Sequence, residues 1–169
     1  ATIATLEKNL ATLEGVDCQI MHNVTRGALG IYENVVREGL APIVTINVYP
    51  LIQNLGSIAP KYTEGCHSVV TLQQTVPSRY IDPKAKNRSR IYYKLAELQA
   101  ARLEPGAMPL LTDEHGFITE GSGSNFFIAR QGEILTPKPN DILRGVSRHA
   151  CIDLAGRLGI PVQETDVAP

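Results

Sequence analysis

Residues 119–128 read Thr-Glu-Gly-Ser-Gly-Ser-Asn-Phe-Phe-Ile, and this stretch decides the fold and the function class of the chain. A single carboxylate, Glu120, precedes a run of glycine and hydroxyl side chains, and an apolar, strand-like run follows them. Glycine allows a backbone to come close to a bound molecule. The stretch therefore predicts a ligand-binding loop between two strands, with a buried Glu120 aimed at the ligand.

Strand-like and helix-like segments lie on both sides of this loop. Alternating or β-branched runs predict strands over residues 17–25, 42–49, 67–76, 108–112, 117–119, 125–129, 133–136 and 160–162. Apolar residues at helical spacing predict helices over residues 2–13, 88–103 and 148–158. Turns at residues 113–116 and 131–132 join strands into antiparallel hairpins. The predicted class is α+β, with a largely antiparallel sheet and flanking helices.

Two of the predicted helices carry an apolar face. The helix over residues 88–103 has Ile91, Leu95, Leu98 and Ala101 on one face. The helix over residues 148–158 is predicted to turn four residues inward, namely Cys151, Leu154, Ala155 and Leu158. Ser147 directly precedes this second helix and is predicted to be its N-cap.

The composition is that of an ordinary folded protein without charge bias. The chain has 169 residues, 43% of them hydrophobic, and a net charge of −1. This charge gives no electrostatic reason to expect nucleic acid or an anionic membrane as partner. No apolar run approaches the roughly 20 residues that span a bilayer. Three scattered cysteines without a Cys-x-x-Cys pair favour reduced, buried thiols in a cytoplasmic protein over disulfides or a metal site.

Three features could carry chemistry, and each has a plain structural alternative. Lys86 lies among other cations, which can keep an amine neutral for Schiff-base chemistry, but a solvated basic loop explains it as well. Glu120, if buried, needs a cationic or protonated partner such as a protonated ring nitrogen, but it could also be an exposed acid at a strand end. Residues 146–148 offer backbone N–H groups at a helix start, which suits a phosphate but also fits a plain serine cap after a glycine turn.

Lysine, acid and phosphate turn, in that order, resemble the class IV (fold type IV) pyridoxal-phosphate-dependent aminotransferase family. This family includes branched-chain and D-amino acid aminotransferases and aminodeoxychorismate lyase. The match runs through the hairpin 111–116, the loop 119–125, the segment 132–137, the turn 142–148 and the helix end 154–160. The resemblance implies the large cofactor-binding domain of the D-amino acid aminotransferase-like fold, a mostly antiparallel sheet or pseudo-barrel with flanking helices.

The resemblance also implies a role for each matching residue. Lys86 would hold pyridoxal 5'-phosphate as an internal aldimine and later move the proton between the α-carbon of the substrate and C4′ of the cofactor. Glu120 would keep the pyridine nitrogen protonated. The other cofactor-binding positions would be the ring neighbour Leu143, the loop residues Gly123 and Asn125, and the phosphate turn of Gly145, Val146 and Ser147.

Departures from the family pattern leave parts of this assignment open. The family commonly has a tyrosine at the fifth position after the lysine, but Ile91 holds that place here and Tyr92 follows one residue later. Lys84 therefore stays open as an alternative to Lys86 for the lysine that holds the cofactor. The strand over residues 19–24 lacks the arginine of the branched-chain enzymes, and residues 28–31 lack the arginine and histidine of the D-amino acid enzymes. The substrate therefore does not follow from the sequence.

The resemblance implies an enzyme of amino acid metabolism, a cytoplasmic homodimer that moves an amino group between an amino acid and a 2-oxo acid. Two alternatives stay open: a lyase of the aminodeoxychorismate type, and a non-catalytic truncated relative that keeps the fold. Residues 1–16 are expected to be the end of an N-terminal small domain or a linker helix. Residues 17–169 are expected to be the large domain, incomplete at its C-terminus and part of a longer chain, because two phosphate-binding segments of the family have no counterpart here.

Overall fold

The structure is a computed structural model that describes residues 2–27, 41–87 and 89–169. Residues 28–31, which the sequence predicts to lack a carboxylate trap, lie outside the described residues, as does Arg88, the first residue of a predicted helix. The chain divides into two compact units, Ala1–Gly65 and Cys66–Pro169. The domain boundary predicted after residue 16 stays a prediction, and every candidate site residue belongs to the second unit.

The first unit consists of a helix, a two-stranded ribbon and two single helical turns. α1 (Thr2–Leu13) has the predicted bounds. β1 (Cys18–Thr25) pairs antiparallel with β2 (Ile43–Pro50) along its whole length, as expected for a β-branched run. α2 (Ile52–Leu55) and α3 (Lys61–Glu64) occupy a segment whose glycine, proline and polar residues do not sustain a longer helix.

The second unit contains two three-stranded sheets and two helices. Its elements in chain order are β3 (Ser68–Gln74), α4 (Ile91–Leu103), β4 (Met108–Thr112), β5 (Ile118–Gly121), β6 (Ile128–Arg130), β7 (Glu133–Pro137), α5 (Val146–Arg157) and β8 (Val162–Thr165). The strand orders are β3-β4-β5 and β6-β7-β8. Hairpins separated by helices are the α+β arrangement that the sequence predicts.

Each of these sheets combines one hairpin with one parallel pair of strands. The hairpins β4–β5 and β6–β7 are antiparallel, as predicted. β3 runs parallel to β4, and β7 runs parallel to β8. Parallel neighbours need a long crossover connection, usually a helix, and α4 and α5 supply the two crossovers. The sequence analysis identified these helices and strands but did not anticipate the parallel pairing.

The hydrophobic core of the second unit lies against the hairpin β4–β5. Leu110, Ile118 and Val167 form a buried cluster. The Ile118 N–H donates to the Val167 carbonyl at 2.7 Å, so that the last residues of the chain cover β5. Every residue of β5 is buried. The side chain of Glu120, the third residue of this strand, therefore projects from a buried strand.

Helix α4 packs through alanines rather than through the larger apolar residues of its predicted face. Ala96 and Ala100 are fully buried, and α4 contacts β3 and β4. Ile91 is 71% exposed, and Leu95 and Leu98 are about half exposed. Alanine has no side chain beyond Cβ and lets a helix approach a sheet closely. Ala101, the fourth residue of the predicted face, is exposed as well. The predicted face was therefore wrong, because close contact with the sheet is made by the small Ala96 and Ala100, which the apolar periodicity did not select.

Helix α5 is held to its sheet by a buried arginine. Ala155 is buried as predicted. The other three residues that were predicted to face inward are exposed, namely Cys151, Leu154 and Leu158. The guanidinium of Arg148 donates to the Pro137 carbonyl at 2.9 Å and to Glu164 Oε1 at 2.7 Å. A polar anchor of this kind satisfies a buried charge, and hydrophobic periodicity does not reveal it.

The structure bears on two features that the composition addressed, the burial of the thiols and the presence of apolar helices. The thiols were expected to be buried, but Cys18 is half-buried and Cys66 and Cys151 are exposed. Cysteine contributes little to a hydrophobic pattern, so its position in the pattern did not indicate its burial. Within residues 2–27, 41–87 and 89–169, no helix combines the length and the apolar character needed to cross a membrane.

We expect Leu111→Ala to lower the free energy of unfolding by roughly 2–5 kcal/mol, because Leu111 is fully buried and its loss leaves a cavity. The matched control is Leu72→Ala, which changes a leucine that is 85% exposed in the neighbouring sheet strand β3. The control should change stability by about 0.5 kcal/mol or less. Urea unfolding of both variants measures the difference, and equal effects would contradict the described core.

Candidate functional site

The loop of residues 120–125 is a tight turn closed by backbone pairing. Glu120 and Asn125 form an isolated antiparallel bridge, and the Gly121 N–H donates to the Ser124 carbonyl at 2.8 Å. A Cβ on Gly121 would lie 2.6 Å from Ser124 Oγ, so a larger residue at this position would force the Ser124 hydroxyl to move. Residues paired across a bridge direct their side chains to the same side. Glu120 and Asn125 therefore project together from the base of the turn.

Both of these side chains bind the backbone of Leu143. Glu120 Oε2 accepts the Leu143 N–H at 3.1 Å, and Asn125 Nδ2 donates to the Leu143 carbonyl at 2.8 Å. The turn before α5 is thereby attached to the loop 120–125 at one residue. The sequence analysis predicted that the loop and the turn belong to one site, and the structure brings them into contact.

Gly145 connects Leu143 to helix α5. Its φ is 62°, and a Cβ at this position would overlap Asn125 Oδ1, so both its conformation and its surroundings require glycine. α5 begins at Val146, and Gly145 is its N-cap without a side-chain hydrogen bond. The prediction of Ser147 as N-cap was wrong, because the glycine turn ends two residues earlier than predicted. Ser147 is instead the second residue of the helix, where backbone N–H groups have no partner within the helix.

Glu120 is a buried acid, 5% exposed, as the sequence analysis anticipated. Its Oε1 accepts the Tyr93 hydroxyl at 2.5 Å. Burial raises the pKa of the Glu120 carboxyl above its usual range. The hydrogen bonds from Tyr93 and from the Leu143 N–H, and the charges of Lys86 and Arg90, act in the opposite direction. No described lysine or arginine forms an ion pair with Glu120.

Tyr93 and Arg90 belong to this site and were missed by the sequence analysis. The guanidinium carbon of Arg90 lies 4.7 Å from the centre of the Tyr93 ring, and Arg90 Nη2 donates to the Ser122 carbonyl. Burial and the neighbouring Glu120 hold the pKa of Tyr93 well above its usual value. An available signal was the spacing of Arg90 and Tyr93, three residues apart at a predicted helix start, which places them on one face.

Two adjacent cavities contain the candidate site residues. The first has a volume of about 290 Å³, and its lining includes Glu120, Tyr93 and Arg90. The second has a volume of about 600 Å³. Five of the predicted cofactor-binding residues line only this second cavity, namely Gly123, Asn125, Gly145, Val146 and Ser147. Lys86 and Leu143 line both cavities. An amine at their junction can reach a ligand whose two ends occupy the two cavities.

The alternative Lys84, and Lys94 within the following helix, have different surroundings. Lys84 lies outside both linings, and its Nζ is 4.0 Å from Asp82 Oδ2. Lys94 is within α4, and its Nζ is 3.2 Å from Glu97 Oε2. Of these three lysines, Lys86 is the one that lines both cavities. It is exposed in this structure.

The sequence of the whole chain matches a known family. The model for amino-transferase class IV matches residues 2–169. The chain belongs to the class IV aminotransferase family. This confirms the family that the lysine, the acid and the turn before α5 indicated in the sequence.

Curated members of the class IV family with similar sequences are branched-chain-amino-acid aminotransferases. The chain is 31% identical to that of Pseudomonas aeruginosa over 81 residues, which are 48% of this chain and 26% of the relative. It is 30% identical to that of Escherichia coli over 127 residues, which are 75% of this chain and 40% of the relative. The chain thus spans two-fifths or less of the length of these relatives.

Solved structures of class IV aminotransferases share its fold. The branched-chain amino acid aminotransferase of Thermobaculum terrenum, in its PLP form, matches with a TM-score of 0.77 and 24% identity over 99% of this chain and 53% of that chain. The branched-chain aminotransferase of Thermoproteus uzoniensis, solved with norvaline, matches with a TM-score of 0.74 and 25% identity over 98% of this chain and 55% of that chain. These similarities confirm the predicted α+β fold of the family.

We expect the raised pKa of Glu120 to make stability depend on pH. The folded state binds this proton more tightly than the unfolded state, so the contribution is fully present below the unfolded pKa, near 4.5, and is lost as pH rises through the folded pKa. Glu120→Gln removes the titration, and its amide can still bond to Tyr93 and Leu143. In the absence of ligand, the variant should therefore unfold at higher urea concentration than wild type at pH 7, with convergence toward pH 4.5.

The control for this experiment is Glu114→Gln. Glu114 is exposed, and its ion pair with Arg79 lowers the pKa of Glu114. Its contribution to stability is present above the unfolded pKa and is lost as pH falls, which is the opposite dependence. The stability of Glu114→Gln should still decline as pH rises toward neutral, as it does in wild type. Identical curves for wild type and Glu120→Gln at every pH would contradict the buried position of Glu120.

We expect Gly145→Ala to destabilise the second unit by about 1 kcal/mol or more, since alanine meets both an unfavourable positive φ and Asn125 Oδ1. The matched control is Gly156→Ala in the same helix, where an added Cβ meets no atom within 4 Å. This control should stabilise the protein by roughly 0.5–1 kcal/mol, because alanine is the better helix former. Thermal unfolding measures both variants, and a neutral Gly145→Ala would speak against the described turn.

Proposed function

We propose that the protein carrying this chain is a pyridoxal-phosphate-dependent aminotransferase, in which Lys86 holds the cofactor. The observation that carries the proposal is the position of Lys86 at the junction of the two cavities. One cavity contains the buried acid Glu120, and the other contains the start of helix α5 at Val146. A flat cationic ring with a phosphate at one end has complementary chemistry at both ends.

The described residues fit this cofactor. Glu120 is buried, and its oxygens accept hydrogen bonds from neutral donors, so it can still neutralise a protonated ring nitrogen. Val146 is 90% exposed at the start of α5, and Ser147 follows it with an exposed hydroxyl. Their N–H groups lie at the positive end of a helix, where an anion is stabilised. Gly145 keeps the backbone close to the cavity without a side chain.

Each residue has a defined task in this proposal. When bound, pyridoxal phosphate supplies an electrophilic carbon and a ring that accepts electron density from the substrate. The Nζ of Lys86 would hold the cofactor, and its amine, which lines both cavities, would hold and move a proton there. The carboxylate of Glu120 keeps the proton on the ring nitrogen.

The remaining residues shape and hold the cofactor site. Val146 and Ser147 donate backbone N–H groups to the phosphate, and the Ser147 hydroxyl adds a further donor. Leu143, whose backbone is fixed by Asn125 and Glu120, would pack near the ring. Gly123 borders the second cavity, and an added Cβ there would approach only Arg90 Nη2, at 3.9 Å.

We expect the substrates to be an amino acid and a 2-oxo acid, with branched-chain amino acids as the first to test. The support is that the class IV relatives with similar sequences are branched-chain-amino-acid aminotransferases. Their longer chains include segments that have no counterpart in these 169 residues, so the assay belongs on the full-length protein. A cytoplasmic homodimer is part of the same proposal, and light scattering of the full-length protein tests its oligomeric state.

The proposal predicts a visible absorption band when the full-length protein binds pyridoxal phosphate. Borohydride reduction and Lys86→Ala should each abolish the band, since both remove the reversible link to Nζ. Lys84→Ala is the matched control and should keep the band, because Lys84 lies outside both cavities. No band in the wild type would rule out the proposal, and a band that survives Lys86→Ala but not Lys84→Ala would move the lysine assignment. Amine transfer from a panel of L- and D-amino acids then separates a transferase from a lyase.

A further inference from the structure

Tyr93 contacts Glu120 directly but has no role in the cofactor site as proposed above. Its hydroxyl donates to Glu120 Oε1 at 2.5 Å, while the Leu143 N–H donates to Oε2 at 3.1 Å. Each carboxylate oxygen therefore has its own donor. Two donors held on different elements, α4 and the turn before α5, restrict the rotation of the carboxylate. The orientation of Glu120 thus depends on Tyr93 as much as on the backbone of Leu143.

Arg90 holds Tyr93 in this position. Its guanidinium carbon lies 4.7 Å from the centre of the Tyr93 ring, within the range of a cation–π contact. The Nη2 atom of the same guanidinium donates to the carbonyl of Ser122, a buried residue of the loop 120–125. Arg90 therefore connects the ring of Tyr93 to the loop that carries Glu120. One connected set of contacts therefore links Glu120, Tyr93, Arg90 and Ser122.

We propose that Tyr93 is a positioning residue that fixes the orientation of the Glu120 carboxylate and keeps it ionised, with Arg90 holding Tyr93 in place. This inference rests on the proposed function in one respect: the ring nitrogen that Glu120 would face belongs to the proposed cofactor. The contact between Tyr93 and Glu120 does not rest on it and can be tested without a cofactor.

The groups that face Glu120 come from three parts of the chain. Tyr93 lies in α4 and Arg90 directly precedes that helix, Lys86 lies in the connection before them, and the Leu143 N–H belongs to the turn before α5. All of them favour the ionised carboxylate, whereas burial favours the protonated form. Removing the Tyr93 hydroxyl therefore has a defined direction: it raises the pKa of Glu120.

The test measures the pKa of the Glu120 carboxyl in the full-length protein before pyridoxal phosphate is added. Carbon-13 NMR with carboxyl-labelled glutamate reports the titration, and Glu120→Gln assigns the signal. Tyr93→Phe removes the hydroxyl and keeps the ring beside Arg90. We expect the pKa of Glu120 to rise by about one unit, which is the size of the effect of one hydrogen bond to a charged group.

The matched control is Tyr80→Phe. The guanidinium carbon of Arg79 also lies 4.7 Å from the centre of the Tyr80 ring, so the arginine–tyrosine pairing is the same. Tyr80, however, is 71% exposed and lines neither cavity. Tyr80→Phe should leave the pKa of Glu120 unchanged. An equal shift in both variants would overturn the positioning role of Tyr93.

A second variant keeps the test valid if Tyr93→Phe does not fold. Incorporation of 3-fluorotyrosine at position 93 makes the phenol more acidic and therefore a stronger donor. We expect this change to lower the pKa of Glu120, opposite to the effect of Tyr93→Phe. A general loosening of the fold would not produce a lower pKa. An unchanged or raised pKa with 3-fluorotyrosine would contradict the proposal.

The loaded enzyme provides an independent measurement of the same effect. In Tyr93→Phe, the acidic limb of the pH profile of kcat should move to higher pH, in the direction seen in the NMR titration, with KM for the amino acid unchanged. Absence of the visible band in wild type would remove the proposed function and leave the NMR test of Tyr93 intact. An unchanged Glu120 pKa in Tyr93→Phe, with the band present in wild type, would remove the positioning role and leave the proposed function intact.

Discussion

The double attachment of Leu143 is the constraint on which the rest of the site depends. Its N–H is bound by Glu120 and its carbonyl by Asn125, so both backbone groups are satisfied by side chains rather than by a strand or helix. The bridge between residues 120 and 125 sets the spacing of these two side chains. Gly145 then fits against Asn125 and begins α5. One strand turn therefore fixes the position of the acid, of the apolar residue beside it and of the helix start.

This arrangement holds Glu120 at a buried position, where desolvation disfavours the ionised carboxylate. Glu120 is in contact with hydroxyl and N–H donors and near positive charges, and still the pKa of its carboxyl is raised. A ligand that brings a proton on a ring nitrogen would relieve this opposition. Binding to the folded state alone also stabilises a protein. The fold thus holds a group that burial destabilises in an orientation that suits the proposed cofactor.

The parts of the site that could be predicted from sequence were those in which a local backbone requirement and a chemical group coincide. Glu120 beside a glycine-rich turn and Gly145 before a helix are examples, and the family resemblance connected them to Lys86. Tyr93 could not be predicted in the same way, because it meets Glu120 only through the packing of α4 against the sheet. The packing faces of both helices were predicted wrongly for a related reason. Alanines in α4 and the buried Arg148 in α5 make the contacts that large apolar side chains were expected to make.

The two parallel strand pairs separate the sheets of the second unit from the connections that carry the proposed cofactor-binding residues. Lys86 lies in the connection from β3 to α4, and Gly145 lies in the connection from β7 to α5. Neither connection contributes to the strand ladders themselves. Loops held by a rigid scaffold tolerate change more readily than the scaffold does. A protein engineer could therefore vary the positions of these two connections other than Lys86, Leu143 and Gly145 while the sheets keep their register.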